Sequence, residues 1–459
     1  MHSIQPDTRP QARGEDRAGG AVRSGGVSAI GGPPAVAPWP GRRQGWWTRA
    51  AVRAGLAAGR ISRRWGLGAG GIIGGRVTLV LAPSALSRLA RGRRVVLVSG
   101  TNGKTTTSHM LAAAMRTAGP VAHNASGANM SDGAVGALAA DPDAPVAVLE
   151  VDELHLAAVA AAVDPAVVVL LNLSRDQLDR GSEVRAVAAA LAAALAAHPD
   201  AVVVANADDP MVVWAAARSA RTVWVSTGHR WSGDATSCPR CGQILQRHTD
   251  PDGEQWTCRC GLARPVPRWV ATDTAAVTGD GVVPVRLRLP GRFNLGNAVT
   301  AMAAASVLGI DPQRAAAAMS ALPDVAGRYA LVVHGDHELR LLLAKNPAGW
   351  AETLGLLDDD RPLLVVVNAR EADGRDTSWL WDVPFEDLAH RSVVAAGERA
   401  ADLGVRLTYA GVEHATVADP LAGLALLPPG PVDVVTNYTA FHQLRRRLTA
   451  TASPRKSAQ

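Results

Sequence analysis

Cysteine is scarce in this sequence and confined to one place: Cys238, Cys241, Cys258 and Cys260 are all there are in 459 residues. If one metal ion occupies those four, no thiol remains for nucleophilic catalysis. Long apolar runs are missing too. None reaches the ~18 residues of a membrane span, and the N-terminus lacks the apolar core of a secretory signal. A cytoplasmic protein is the simplest expectation. A strong charge excess is also lacking: the formal net charge is +6. Part of it comes from residues 1–45, which are rich in Arg, Gly and Pro, show no apolar periodicity and read as a disordered tail.

Hydrophobic residues make up 47% of the chain, enough for two or three packed domains. Residues 46–92 carry Trp46, Trp47 and a basic, Gly-rich helical pattern. The apolar runs RRVVLVSG, VAVLEVDE, VVVLLNLSRDQLD, AVVVANADDP and TVWVST follow, mostly separated by Ala-rich helical segments. Strand and helix in alternation predict a parallel α/β sheet covered by helices. VRLRLPG reads as one more strand, with a helix from about Leu295. PDVAGRY (Pro323 to Tyr329) reads as a joint. A smaller α/β unit is expected beyond it, with strands near Leu339–Leu343, Leu363–Val367, Ser392–Ala396 and Val432–Thr436. The predicted division is 46–325, 326–449 and a short tail, 450–459.

SGTNGKTTTS (Ser99 to Ser108) directly follows a predicted strand and precedes a helical run, the setting a phosphate loop requires. Its candidate nucleotide contacts are Gly100, Thr101, Asn102, Gly103, Lys104, Thr105 and Thr106. The glycines let backbone N–H groups approach phosphate. Lys104 is placed to reach the β/γ-phosphates and Thr105 to hold Mg²⁺. The pattern is GxxGKT, two residues shorter than the general loop, with Val98 where the first glycine would stand.

CPRCG and CRCG are separated by 16 residues counted between Cys241 and Cys258. Two cysteine pairs at that distance, each followed by glycine, read as the two knuckles of a zinc ribbon spanning about 230–270. Four thiolates leave no open position, so a structural Zn²⁺ is expected. Nucleic-acid binding is the rival reading of such a ribbon. From Arg230 to Arg268 six arginines face four acids, which gives little basic field. The aromatics there, Trp231, Trp256 and Trp269, are enough for a small core.

The short loop GTNGKTTT resembles the central domain of the Mur ligase superfamily, which includes folylpolyglutamate synthases. Other segments fit in order. LEVDE puts Glu150 where that family holds Mg²⁺. NLSRDQLD resembles its Asn…Asp-His-Leu-Asp segment, with Gln177 in place of the histidine. NADDP (Asn206 to Pro210) fits the next strand end. GRFNLGNAVTAMAA offers Asn294 and Asn297 as nucleotide contacts. GRY offers Arg328, and KNPAGW an Asn-Pro turn. The fold implied is a Mur-type P-loop domain with a four-cysteine insert, followed by a Rossmann-like C-terminal domain.

Residues 46–98 alone separate the tail from the phosphate loop, so the usual N-terminal substrate domain is expected to be missing. That plan, the cysteine insert, ADGRDTSWLWD and TNYTAFHQLR together resemble the MurT family of ligase-like subunits. The resemblance implies ATP- and Mg²⁺-dependent amidation of the D-glutamate α-carboxylate of lipid II, through an acyl phosphate. Ammonia would come from a GatD-type glutaminase partner. It also implies that an aspartate of the loop READGRDTSWLWD (Arg370 to Asp382) completes the partner's Cys–His pair. Asp376 is favoured over Asp373 and Asp382. Trp379 and Trp381 alternate with Leu380, so one face is expected inward and the other at the subunit contact. The alternatives are a self-sufficient Mur-type amino-acid ligase and a P-loop module that binds nucleic acid.

Overall fold

A computed structural model describes residues 45–65, 70–175, 183–228, 235–250, 253–322, 329–357 and 361–451. Gln177, Trp231, Arg328, most of the PDVAGRY joint, residues 1–44 and residues 452–459 lie outside that set. The described residues all belong to one compact unit, Trp39–Gln459.

Five strands of the first sheet are the predicted apolar runs: β1 (Arg94–Ser99), β3 (Val146–Glu150), β4 (Val167–Leu170), β5 (Val202–Asn206) and β6 (Thr222–Ser226). Between β1 and β3 in the chain comes β2 (Val121–His123), three residues long and not expected. These six pair in parallel. Val95, Val96, Leu97 and Val98 have essentially no exposure, because helices cover both faces. Each such side chain contributes roughly 1.5–3 kcal/mol by leaving water. After β6 the chain makes the hairpin β7 (Gln246–Asp250) and β8 (Gly253–Thr257), a separate two-stranded sheet. It then returns as β9 (Trp269–Ala271), β10 (Ala275–Thr278) and β11 (Gly281–Pro284), giving nine strands in the order 11-10-9-6-5-4-1-3-2.

VRLRLPG is not a strand. The strand is the segment before it, Gly281–Pro284. Val285 is buried and Leu287 and Leu289 pack on the core, so the alternation is real. It records a chain lying against the sheet and not one paired within it. The helix that follows begins at Arg292.

The second sheet comprises β12 (Tyr329–His334), β13 (His337–Leu343), β14 (Leu363–Val366), β15 (Val393–Ala396), β16 (His414–Thr416) and β17 (Gly430–Thr436), in the order 12-13-17-14-15-16. All pairs are parallel except β12 with β13. Edge strands β12 and β16 escaped the sequence reading: β16 is only three residues long, and the apolar run of β12, YALVV, starts at the last residue of the expected joint PDVAGRY.

Ahead of β1, helices Trp46–Arg64 and Gly71–Leu81 form a hairpin held by small residues. A Cβ at Gly55 would lie 2.1 Å from Thr78 Oγ1 and 2.4 Å from Gly74 O, so the two backbones touch.

Candidate active site

Parallel pairing aligns the C-terminal ends of the strands, where sites in such sheets form. Val98 stands opposite Glu150, and Ser99 opposite Leu170. Gly100–Gly103 therefore emerges between the ends of β3 and β4 and leads into the helix Lys104–Arg116. Gly103 has φ 83°, and a Cβ there would come 2.5 Å from Asn297 Oδ1. Both the turn and the approach of that side chain demand glycine.

The loop is docked by residues the motif does not contain. Asn102 N donates to Asn172 Oδ1 at 2.8 Å, and Asn172 Nδ2 donates to Asn102 O at 3.1 Å. Thr101 N donates to Asn172 O at 2.8 Å, and Ser174 N to Thr101 Oγ1 at 3.0 Å. Asn172 stood in the expected NLSRDQLD segment, but its clamp on the loop is a tertiary fact.

Lys104 is buried and folded back on its own loop. It donates to Gly100 O, to Thr101 O at 3.1 Å and to Glu153 Oε2 at 3.0 Å. The whole chain has three lysines, Lys104, Lys345 and Lys456. Lys345 lines the cavity beside the loop.

Thr105 Oγ1 donates to Glu150 Oε1 at 3.1 Å, both residues being buried. A hydroxyl and a carboxylate brought together next to a phosphate loop are the hard oxygen donors Mg²⁺ takes. Asn124 aims the glutamate: its Oδ1 accepts from Glu150 N and its Nδ2 donates to Glu150 O, both at 2.8 Å. Nearby, His109 Nδ1 lies 2.8 Å from Thr105 O, and its ring packs edge-on against His123 at 4.6 Å. Burial, with the charges of His109 and Arg116, holds His123 near pKa 3, so it is neutral at physiological pH.

The cavity beside the loop is lined by Asn102, Gly103, Thr106, Asn206, Phe293, Asn294 and Asn297 on one side. Tyr329, Lys345, Gly349 and Glu352 of the second sheet's domain line the other. Asn294 Nδ2 donates to Pro290 O at 2.6 Å. The asparagines expected at the nucleotide are thus at the cavity, with Phe293 and Tyr329 as apolar neighbours that the motifs did not flag.

The four cysteines also converge. Their sulfurs all lie within 4.8 Å of one another, with Cys238 to Cys260 at 3.6 Å and Cys241 to Cys258 at 3.4 Å. A tetrahedron with Zn–S bonds of about 2.3 Å has edges near ~3.8 Å, so the set fits zinc with little adjustment. Turns closed by Gly242 N to Cys238 O (2.8 Å) and Gly261 N to Cys258 O (2.9 Å) shape the two knuckles. Trp256, Leu245 and Leu262 form a small core over Val213, and Arg264 pairs with Asp208 at 2.9 Å.

In the loop Arg370–Asp382 the aspartates divide. Asp373 is buried and accepts from Thr439 N at 2.8 Å, from Thr439 Oγ1 and from Arg370 N at 3.2 Å. Asp376 is exposed, with one oxygen held by Ser378 N at 2.7 Å. Those Ser378 hydrogen bonds hold its carboxyl below the usual carboxylate range. Asp382 lies 3.4 Å from Arg175 of the first domain. The expected alternation of the tryptophans does not occur. Ser378–Asp382 is a 3-10 helix, whose ~120° step turns Trp379 and Leu380 inward together and leaves Trp381 exposed.

Residues 98–305 match the Mur ligase middle domain, and residues 343–441 match the MurT ligase C-terminal domain. The lipid II isoglutaminyl synthase (glutamine-hydrolyzing) subunit MurT of Staphylococcus aureus (strain COL) is 30% identical over 342 residues, covering 70% of this chain and 78% of that one. The subunit of the same name from Streptococcus pneumoniae (strain ATCC BAA-255 / R6) is 29% identical over 442 residues, covering 88% and 98%. A pseudomurein peptide ligase type C from Methanothermus fervidus shares the fold, with a TM-score of 0.62 at 19% identity over 79% of both chains. Sequence relatives and site geometry agree, and the chain belongs to the MurT family of Mur-type ligases.

Proposed function

We propose that the protein is the ligase subunit of a lipid II isoglutaminyl synthase. It amidates the α-carboxylate of D-glutamate in the lipid II stem peptide to D-isoglutamine, for peptidoglycan synthesis on the cytoplasmic side. One observation carries the reading: a Mur-type phosphate loop and a MurT-type C-terminal segment share one chain and meet across one cavity.

A carboxylate is a poor electrophile because its leaving group would be oxide. A carboxylate oxygen attacks the γ-phosphorus of ATP, ADP departs, and the acyl phosphate forms. Ammonia then bonds to the carbonyl carbon, inorganic phosphate leaves with the C–O bonding pair, and a proton is lost. Mg²⁺, when bound, offsets the negative charge of the phosphates. Thr105 and Glu150 are the residues that would hold it. The loop amides and Lys104 favour the extra charge on the γ-phosphoryl group as it moves. Lys104 must first exchange its loop carbonyls for phosphate oxygens.

A glutaminase of the GatD type, with its Cys–His pair, needs a thiolate nucleophile. All four cysteines are in the cluster, so this chain's ammonia comes from a GatD-type partner or from solution. Asp376, exposed and oriented by Ser378, is the aspartate that would accept a hydrogen bond from the partner's imidazole and fix its tautomer. Asp373 spends its oxygens on Thr439 and Arg370.

The test is amidation of purified lipid II by this chain with ATP and ammonium. Lys104→Ala should abolish it. Because that change strands the near-buried Glu153, Lys104→Ala/Glu153→Gln serves as the folded control and should be equally inactive. A well-folded wild-type protein that fails with ammonium and with a working glutaminase would overturn the assignment.

A further inference from the structure

The hairpin ahead of β1 is built the wrong way round for a water-soluble element. The helix Trp46–Arg64 buries Thr48, Ala51, Gly55, Gly59 and Ser62, all small or polar. Val52 packs part-buried on the core, but the large apolar residues near the two ends face out, and the turn after the helix continues this: Trp46 is 72% exposed, Ile61 60% and Trp65 75%. The second helix buries Gly74, Gly75 and Thr78 and exposes Ile72, Ile73, Val80 and Leu81.

At 100° per residue, Trp46, Trp47, Ile61 and Trp65 fall within one arc of about 100°. Arg49, Arg53, Arg60 and Arg64 occupy the adjoining arc. Trp47 Nε1 donates to Leu81 O at 2.9 Å, which joins the exposed ends of the two helices. Residues 46–92 contain eight arginines and no aspartate or glutamate. Among the described residues, Asp132 of a packed element reaches this surface, 3.6 Å from Arg76.

We propose that this hairpin seats the protein on the surface of an anionic lipid bilayer. Apolar residues bordered by tryptophan and arginine match the boundary between acyl chains and phosphate headgroups. Close glycine packing is how helices pair without a hydrophobic drive of their own. No described helix is long and apolar enough to cross a membrane, so the hairpin lies on the surface.

The position suits the reaction, a point that rests on the lipid II reading above. Gly75 packs on the backbone of Asp132, and Gly71 approaches Ser126. The intervening loop carries Asn124, which clamps Glu150, and Gly127, whose Cβ position is 3.8 Å from Thr105 Oγ1. One loop therefore separates the seated hairpin from the residues that handle the phosphates, so the stem-peptide carboxylate can reach them while its lipid stays in the bilayer.

The experiment is co-sedimentation of the full chain with vesicles of equal phosphatidylglycerol and phosphatidylcholine, against phosphatidylcholine alone. Binding should favour the anionic vesicles about tenfold or more and weaken with added salt. Ile61→Ser/Trp65→Ser and Arg60→Gln/Arg64→Gln should each reduce it about tenfold without lowering Tm. With ammonium, both variants should match wild type on detergent-dispersed lipid II and fall behind on lipid II in vesicles. Equal binding to both vesicle types, no binding, or unchanged binding by the variants would each overturn the proposal. So would loss of association with another protein in place of loss of vesicle binding. Wild-type inactivity in detergent would instead overturn the assigned reaction, and sedimentation would still decide the membrane surface.

Discussion

Asn102 of the phosphate loop donates from Nδ2 to Asn346 Oδ1 at 3.1 Å, across 244 positions of sequence. Asn346 is the N-cap of the helix Pro347–Leu354, and the same oxygen accepts from Gly349 N at 3.0 Å. One side chain thus starts a helix of the second domain and braces the loop of the first. Asn346→Ala should lose about 1 kcal/mol of stability from the cap alone. Asn346→Asp keeps the acceptor and should restore Tm, but it sets a new negative charge beside the phosphates and should still raise the KM for ATP. Thermal melts and nucleotide kinetics on the two variants separate the roles. Equal recovery of both in Asn346→Asp would leave capping as the only role.

The aspartates of the 370–382 loop should behave oppositely. Asp376→Asn is exposed and keeps its Ser378 contact, so Tm should hold. Glutamine-dependent amidation should drop by roughly two orders of magnitude or more, while the ammonium-dependent rate is spared. Asp373→Asn loses acceptor capacity against three donors in a buried site. It should cost about 1–3 kcal/mol and lower both activities through folding. Equal loss of both activities in Asp376→Asn would place that residue in the ligase site.

Removing metal from the cysteine cluster should destabilise more than the ribbon. Trp256 Nε1 donates to Ala207 O at 3.3 Å, and Asp208 accepts from Thr227 N, Gly228 N and Arg264. These ties run from the ribbon to the strand ends beside the cavity at the phosphate loop. Cys241→Ser should reduce zinc measured by atomic absorption and cost about 2–5 kcal/mol. A full complement of zinc with unchanged Tm would contradict a four-thiolate site.

His123 makes an acid-sensitive element. Its pKa is lowered from 6.5 to about 3, so the unfolded chain takes up the proton first. Its contribution is intact above the unfolded pKa and is lost as pH falls from about 6.5 towards 3. By about pH 5 the loss is on the order of 2 kcal/mol. Tm against pH should therefore decline more gently in His123→Leu than in wild type. Parallel curves would rule this histidine out.

Some of this was written locally in the chain. Runs such as VVLVS and VVVL, alternating with Ala-rich helical segments, read as parallel strands buried by helices on both faces. Gly100, Gly103, Lys104 and Thr105 are consecutive enough that one strand–turn–helix carries their chemistry, and paired cysteines announce their cluster by spacing. Other features exist only in three dimensions. The Asn172 and Asn346 contacts on the phosphate loop join segments 70 and 244 residues away, and only strand order brings them together. The split between Asp373 and Asp376 turns on the start of the last helix at Tyr438, which offers its donors to one carboxylate and not the other. The helical pattern of residues 46–64 was legible as well. Which stripe faces inward was decided by packing, where glycine met glycine at the hairpin and left tryptophan outside.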